Sequence, residues 1–429
     1  MLVIEGLGTG LVGAYGSSTA STPTLDRMAA QGIVLDQCFV DSQDLSQQLR
    51  SLWTGSHALQ TDPPPWNLWH SYAARWNAVA SAELGSNSSA RLLTDSRSVA
   101  ELAGQLGCPQ ITLVESADTP QQPASDTAHC SVVELLATAA SDLASGPPGL
   151  VWIHSRGLRH VWDAPVAMRA QFADPDDPDP PSEVDSPALD IDASTDPDFV
   201  VGWGQVAAAQ TAVIDEAISA VRQAVAQRDD AAAWSWLFTS LGGVPLGEHG
   251  RLGWGRNQLF GSELQTATVI VPPGALPVGL RRPELYQLPD LAATLAGLLQ
   301  IELPGSVWGR DARALAAAQS PDRWPHELRL AMLADGRRGW LRTPAWVAVL
   351  EDLTLEAAPE AQSEMYHGAP GDRLYVKPED RWEVSQIADR RRDILALHRQ
   401  LASLFFAAAQ RGQRPSLPAL DDDLLNLLR

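Results

Sequence analysis

The densest patch of reactive groups in this chain is a run of carboxylates. Residues 174–198 read DPDDPDPPSEVDSPALDIDASTDPD, with ten Asp or Glu and no Lys or Arg. Such a density could hold calcium or dock a cationic partner, but the EF-hand spacing, with its central Gly and closing Glu, is absent. The competing reading is a solvated, mobile insertion, since Pro denies the stretch helix or strand pairing. Cys38, Cys108 and Cys130 are odd in number and far apart. They fit neither a disulfide framework nor a zinc site, and read as buried free thiols. Gly6-Leu7-Gly8-Thr9-Gly10 follows an apolar run as a nucleotide loop would, but its glycines miss the dinucleotide spacing. No Walker A lysine, HExxH or GxSxG elbow occurs. Trp66, Trp69 and Trp76 fall in a Pro-rich loop after Gly55, where they could form an aromatic ligand platform or pack the loop against the body.

The composition bounds what these groups can serve. The chain has 429 residues, 45% hydrophobic and 19% charged, enough apolar surface for a large core and too much for wholesale disorder. With 31 basic against 52 acidic residues the formal net charge is −21. That sign argues against nucleic acid and against an anionic membrane surface as partners. No stretch of 18 apolar residues appears. The opening MLVIEGLG lacks the basic start of a signal peptide. As it stands the sequence reads as cytoplasmic; it would read as exported if a leader were missing.

Apolar runs alternate with amphipathic stretches, the signature of a layered α/β fold. Leu2–Glu5 predicts a short buried strand and a Gly-rich turn. Thr22 then caps a helix with Pro23 in its first turn, ended by Gly32, and Ile33–Phe39 forms the next strand. Further strands are expected at Ile111–Val114, Leu150–His154, Trp234–Ser240 and Thr268–Val271. Helices are expected at Cys130–Ala144, Gly204–Ala226 and Leu288–Leu299. The spacing of Val206, Ala209, Val213, Ile214, Ala217, Ile218 and Val221 marks a core-facing stripe. From Pro321 the chain is richer in Arg and Trp and ends in a helix over about 389–410. The expected organisation is an α/β domain over 1–320, carrying the 174–198 insertion, and a small C-terminal α+β subdomain over 321–429.

Six segments, in order, resemble the sulfatases of the alkaline phosphatase superfamily. Ser21–Gly32 (STPTLDRMAAQG) is similar to the family's "TPNLDRLAAEG" helix, and Leu52-Trp53-Thr54-Gly55 to the "LLTG" after its nucleophile. Trp162-Asp163-Ala164-Pro165 resembles "PWDAP". Phe238-Thr239-Ser240 with Leu246–Gly250 (LGEHG) resembles "FTSDHGEMLGEHG". Asp290–Pro304, followed by Gly309-Arg310-Asp311, resembles "DLYPTLLDLAGIPLP". Leu341–Trp346 resembles "RTPRWKLI". The resemblance spans nearly the whole chain. It implies a mixed, mostly parallel sheet sandwiched by helices, and hydrolysis of sulfate or phosphate esters at a calcium site. The calcium would be held by two Asp after the first strand and an Asp with His or Asn after a later one. The nucleophile would be a Cys or Ser matured to formylglycine in a C/S-x-P-x-R motif.

This sequence departs from that pattern at the positions that matter most. The paired Asp fall on Glu5 and Gly6, and the later pair on Leu241 and Gly242. Glu5 is the one ligand-like position retained, so no metal is expected, calcium being the candidate only if the site is intact. The nucleophile falls on Leu45, or, with a one-residue deletion, on Ser46, which sits four residues before Arg50; the motif Pro is lost in both alignments. Ser46 then reads either as an unmodified nucleophile or as a structural or capping serine. Arg256 takes the place of an active-site Lys, His160 or Arg159 lies near the family His before "WDAP", and His249 stands in LGEHG. These could form an anion pocket with Arg50 or be inherited supporting residues. The resemblance therefore implies a degenerate sulfatase that acts by binding an anionic small molecule or a partner protein. The alternative is an active ester hydrolase rebuilt around Ser46.

Overall fold

The computed structural model describes residues 1–61, 66–80, 90–115, 119–255, 258–275, 279–313, 331–353 and 370–413. Two compact units are assembled from interleaved segments. The first comprises 1–36, 69–258 and 262–282; the second comprises 37–68, 259–261 and 283–429.

The first unit is built on a sheet whose strands run β1 (Leu2–Glu5), β2 (Ile33–Phe39), β3 (Arg91–Thr94), β4 (Gln110–Leu113), β5 (Val151–Ser155), β7 (Trp236–Leu241) and β10 (Thr268–Val271) in the chain. With β11 (Leu280–Gln287) at the edge and β9 (Gln265–Thr266) paired to β2, the order across the sheet is β11-β2-β10-β7-β1-β5-β3-β4. β7, β1, β5, β3 and β4 are mutually parallel, and β10 runs antiparallel to both β7 and β2. β1, β3, β5 and β10 are buried at every residue. Covered on both faces, such strands have no solvent side to alternate toward, which is why Leu2–Ile4 and Val269–Val271 read as unbroken apolar runs. Helices α1 (Pro23–Ala30), α3 (Leu68–Ala80), α4 (Arg97–Gln105), α5 (Ser131–Ser145) and α6 (Pro197–Ala226) go with this sheet, while α2 (Leu45–Thr54) falls in the second unit. α5 and α6 pack on each other, and Leu135, Leu136, Val206, Val213, Ile214 and Ile218 join the sheet's Ile4, Ile153 and Val269 in one core.

Three local expectations are corrected here. Thr22 precedes α1 but does not cap it. Its hydroxyl accepts the Gly13 N–H at 2.8 Å, and the buried first-turn N–H groups of Thr24 and Leu25 donate instead to the Asp215 carboxylate of α6, at 2.8 and 2.9 Å. A carboxylate from another helix does the capping, satisfying two orphan donors at once. The acidic segment does not escape strand pairing. Ala188–Asp190 (β6) pairs antiparallel with Arg251–Gly253 (β8), Asp196 caps α6 through the Asp198 N–H, and Pro197 occupies the first turn of that helix, which starts seven residues before the expected Gly204. Trp69 and Trp76 lie on a helix rather than a loop. Trp69 is fully buried against Trp152, with ring centroids 5.9 Å apart.

The second unit carries an antiparallel meander of β12 (Ala331–Asp335), β13 (Arg338–Arg342), β14 (Trp346–Leu350) and β15 (Arg373–Val376). Arg392–Gln410 (α8) packs its Ile394, Leu395, Leu401 and Phe405 against Leu341, Ala348 and Leu374 of that sheet. Leu288–Leu298 (α7) begins with a reciprocal cap, in which Gln287 and Asp290 serve each other's backbone, and packs on α2. The mixed, mostly parallel sheet flanked by helices, with a small antiparallel sheet toward the C-terminus, is the architecture expected from the sequence.

Candidate functional site

In a parallel sheet, ligand sites form beyond the carboxyl ends of the strands. Here those ends bring together Glu5 of β1, Leu241 of β7 directly opposite it in register, His154 near the end of β5, and Asp95 just after β3. Glu5 and His154 are almost completely buried, and the His154 Nε2 lies 2.9 Å from the Glu5 Oε1. The Nδ1 of the same ring is buried without a hydrogen-bond partner. Arg159 approaches the other carboxylate oxygen, with Nη1 3.8 Å from the Glu5 Oε2. Its guanidinium lies 4.1 Å above the Trp254 ring, and the indole N–H of Trp254 donates to the Leu158 carbonyl at 3.0 Å.

Burial governs the protonation of this cluster. It pulls the Arg159 guanidinium down, against the opposing charges of Glu5 and Glu263. It pushes the Asp95 carboxyl up, against the Arg156 N–H bond, the Arg156 charge and His154. Asp95 accepts the Arg156 N–H at 2.9 Å and the Ser155 hydroxyl at 3.3 Å. His160 is half-buried. Burial and the neighbouring Arg156 charge lower its pKa, while Asp163 and Glu5 work the other way. Asp163 itself is occupied structurally, accepting the Ser131 N–H at 2.7 Å at the start of α5.

The donor set does not suit calcium, which takes six to eight oxygens, several of them from carboxylates. Glu5 supplies one carboxylate, already engaged by His154 and Arg159. Leu241 is fully buried. Gly6 has φ +76°, and a Cβ there would stand 2.9 Å from Trp254 and 3.0 Å from Val244. Gly242 has φ +69°, and a Cβ there would stand 2.5 Å from the Glu263 carbonyl. The space that side chains at 6 and 242 would need is filled. Among the described residues no cluster of three His, Cys, Asp or Glu could hold a metal ion.

The remaining sequence-predicted residues sit on other elements or outside the described residues. Ser46 and Arg50 are exposed on α2 in the second unit. The Ser46 hydroxyl donates to the Asp44 Oδ1 at 2.5 Å, while the same oxygen accepts the Gln47 N–H and so caps the helix. His249 occupies the 248–250 turn leading into β8, at φ 55°. Arg256 lies outside the described residues. Sequence reasoning missed His154, Asp95, Arg156 and Trp254; the one available signal was the lone His closing the apolar run of β5.

The second unit holds its own buried polar group, formed by Asp41, Ser51 and His57. Asp41 accepts the Ser51 hydroxyl at 2.6 Å and the Ala58 N–H at 2.9 Å. His57 accepts the Leu59 N–H at Nδ1, faces the Gln287 Oε1 at 3.3 Å, and is flanked by Trp308 and Phe405. Because the imidazole bonds Gln287 and not Ser51, no serine–histidine relay exists there. A surface cleft of about 590 Å³, lined by Gln121–Ser125, Pro165–Ala167, Ser182 and Glu183, offers one ionisable side chain.

No family model and no curated protein matches this chain. Solved structures do. Over 95% of this chain and 92% of the other, it superposes on a 2-O GAG sulfatase with a TM-score of 0.67 and 14% identity. The fold is that of the sulfatases. A phosphonate monoester hydrolase of Agrobacterium radiobacter gives a TM-score of 0.68 at 14% identity, covering 95% of each chain. A protein solved with its substrate D-glucosamine-2-N,6-O-disulfate gives 0.62 at 13% identity, over 92% of this chain and 95% of that one. The sulfatase fold is thus present across nearly the whole length, while the strand-end residues differ from the metal cage the family resemblance implies.

Proposed function

We propose that this protein is a catalytically degenerate relative of the sulfatases that acts by binding an anionic small molecule or a partner protein, without metal or formylglycine. The observation that carries this reading is the state of Glu5: its carboxylate is paired with His154 and faces Arg159, between Gly6 and Leu241-Gly242, which have no oxygen side chains to offer. Hydrolysis of a sulfate or phosphate ester asks an active site to lower one of the highest barriers known, and most of the charge neutralisation falls to the metal. The turn 156–160 keeps Arg156, Arg159 and His160 together beside the strand ends. The two guanidinium groups support an anionic ligand, with the His160 ring beside them as a hydrogen-bonding group. The second reading, hydrolysis by Ser46, has one observation in its favour: the hydroxyl is exposed and bonded to a carboxylate.

The test is metal content of the purified chain by mass spectrometry, beside turnover of aryl sulfate and aryl phosphate esters with and without added calcium. Metal-free protein without turnover is expected. Stoichiometric metal, or turnover abolished by Ser46→Ala, would overturn the proposal. No helix among the described residues is long and apolar enough to cross a membrane.

A further inference from the structure

We infer that the guanidinium of Arg159 is a built-in replacement for the divalent cation at the strand-end site. The inference rests on the degenerate reading above and gives it a physical cause. The ends of β1 and β7 both approach this one residue. Its Nη1 lies 3.8 Å from the Glu5 carboxylate. Its Nη2 lies 3.6 Å from where a Cβ on Gly242 would stand, and its backbone N lies 3.3 Å from where a Cβ on Gly6 would stand. The guanidinium thus borders the space that a side chain at 242 would occupy, and the Arg159 backbone borders the space at 6. Trp254 backs it at 4.1 Å and also fills the position-6 side of the cage. Glu263 adds a second negative charge facing the guanidinium.

The chemistry of the side chain suits the task. A guanidinium stays charged at any physiological pH and is weakly hydrated, so it tolerates a half-closed site on an aromatic face where an ammonium would not. It neutralises one carboxylate permanently and cannot leave, whereas calcium would need oxygen ligands that Gly6, Leu241 and Gly242 do not provide. Losing carboxylates and gaining a fixed cation are then one coupled change: each makes the other tolerable.

The experiment is thermal melting of the whole chain with calcium chloride or guanidinium chloride at low-millimolar concentration, against sodium chloride controls. Three proteins are compared: wild type, Arg159→Ala, and Glu5→Gln/Arg159→Ala. Wild type is expected to ignore both cations. Arg159→Ala is expected to melt lower and to regain several degrees, saturably, with guanidinium or calcium, because the emptied cage keeps its Glu5 charge. The double variant is expected to lose that response. A saturable calcium shift in wild type, an Arg159→Ala protein blind to both cations, or an equal response in the double variant would each overturn the inference. If Arg159→Ala does not fold, Glu5→Gln/Arg159→Met decides. It should melt above Glu5→Gln alone, which strands a buried guanidinium, and melting at or below it would count against the pairing. Ester turnover by wild type would sink the binding proposal and leave Arg159 in place. An Arg159→Ala protein blind to both cations would sink the Arg159 inference and leave the binding proposal in place, whereas a saturable calcium shift in wild type would count against both.

Discussion

At the scale of single residues, the molecule buries several groups that would rather be charged, and this has a measurable consequence in pH. His398 is fully buried in α8, donates its Nδ1–H to the Ile394 carbonyl at 2.9 Å, and leaves Nε2 without a hydrogen bond. Burial, with a contribution from the Arg342 charge, lowers its pKa from 6.5 to about 4. The folded form therefore refuses a proton that the unfolded chain accepts. Between pH 6.5 and about 4 the unfolded state binds more protons, so stability falls as pH falls through that window, by about 3 kcal/mol in all. His57, also held down by burial, acts with the same sign. Asp41 and Asp95, pushed up by burial, act with the opposite one. Comparing wild type with His398→Asn cancels those shared terms, since Asn keeps a donor near Nδ1 and cannot titrate. Urea unfolding at steps from pH 7 to pH 4 should give a shallower loss for the variant, and parallel curves would show that His398 does not set the slope. Residues of this kind were only half legible. Glu5 stood out because it ended a predicted strand, but His154 hid as the last member of an apolar run. The Arg159–Trp254 stack joins residues 95 positions apart, which no local spacing reveals.

Elements were legible where short, mostly apolar runs stand between turn residues. β1, β2 and β10 were expected at their observed bounds, whereas β3, buried at every residue but framed by Arg91 and Thr94, was not expected. The acidic segment was misread because its composition predicts solvation, and what organises it is a distant side chain. Arg169 is fully buried, and its guanidinium donates to the carbonyls of Trp162, Ala164, Pro181 and Glu183. One cation satisfies four carbonyls and pins the segment's backbone before β6 begins. Replacing Arg169 by Met should strand those acceptors and cost about 3 kcal/mol or more by urea unfolding. It should also open 173–190 to limited proteolysis well before the rest of the chain is cut. Unchanged protease resistance would mean that the β6–β8 pairing holds the segment without Arg169. The meander of β12–β15 was anticipated only as a C-terminal α+β subdomain, since Arg and Trp interrupt its apolar runs.

For the whole molecule the deciding quantity is the imbalance of charge, 52 acidic against 31 basic residues. Ten of the acids lie in 174–198, and of these only Asp190 forms an ion pair among the described residues, with Arg251 at 2.7 Å. The remaining carboxylates repel one another and the acidic body through solvent, where a Debye length of about 10 Å at 0.1 M salt still lets neighbours interact. The favourable pairs are of another kind: Arg399–Asp372 and Lys377–Glu383 are buried and little screened. Salt should therefore remove more repulsion than attraction. The melting temperature at neutral pH is expected to rise between low and physiological sodium chloride, and a chain carrying Asp174→Asn, Asp176→Asn, Asp179→Asn and Asp185→Asn should start higher and rise less. A melting temperature that falls with salt would mean that exposed pairs such as Arg97–Glu115 dominate the balance. The same imbalance bears on binding. A dianionic ligand approaches a repulsive body before it meets Arg156, Arg159 and His160, so moderate salt should speed its association, and a rate that falls steadily with salt would point to local attraction at that turn outweighing the field of the whole.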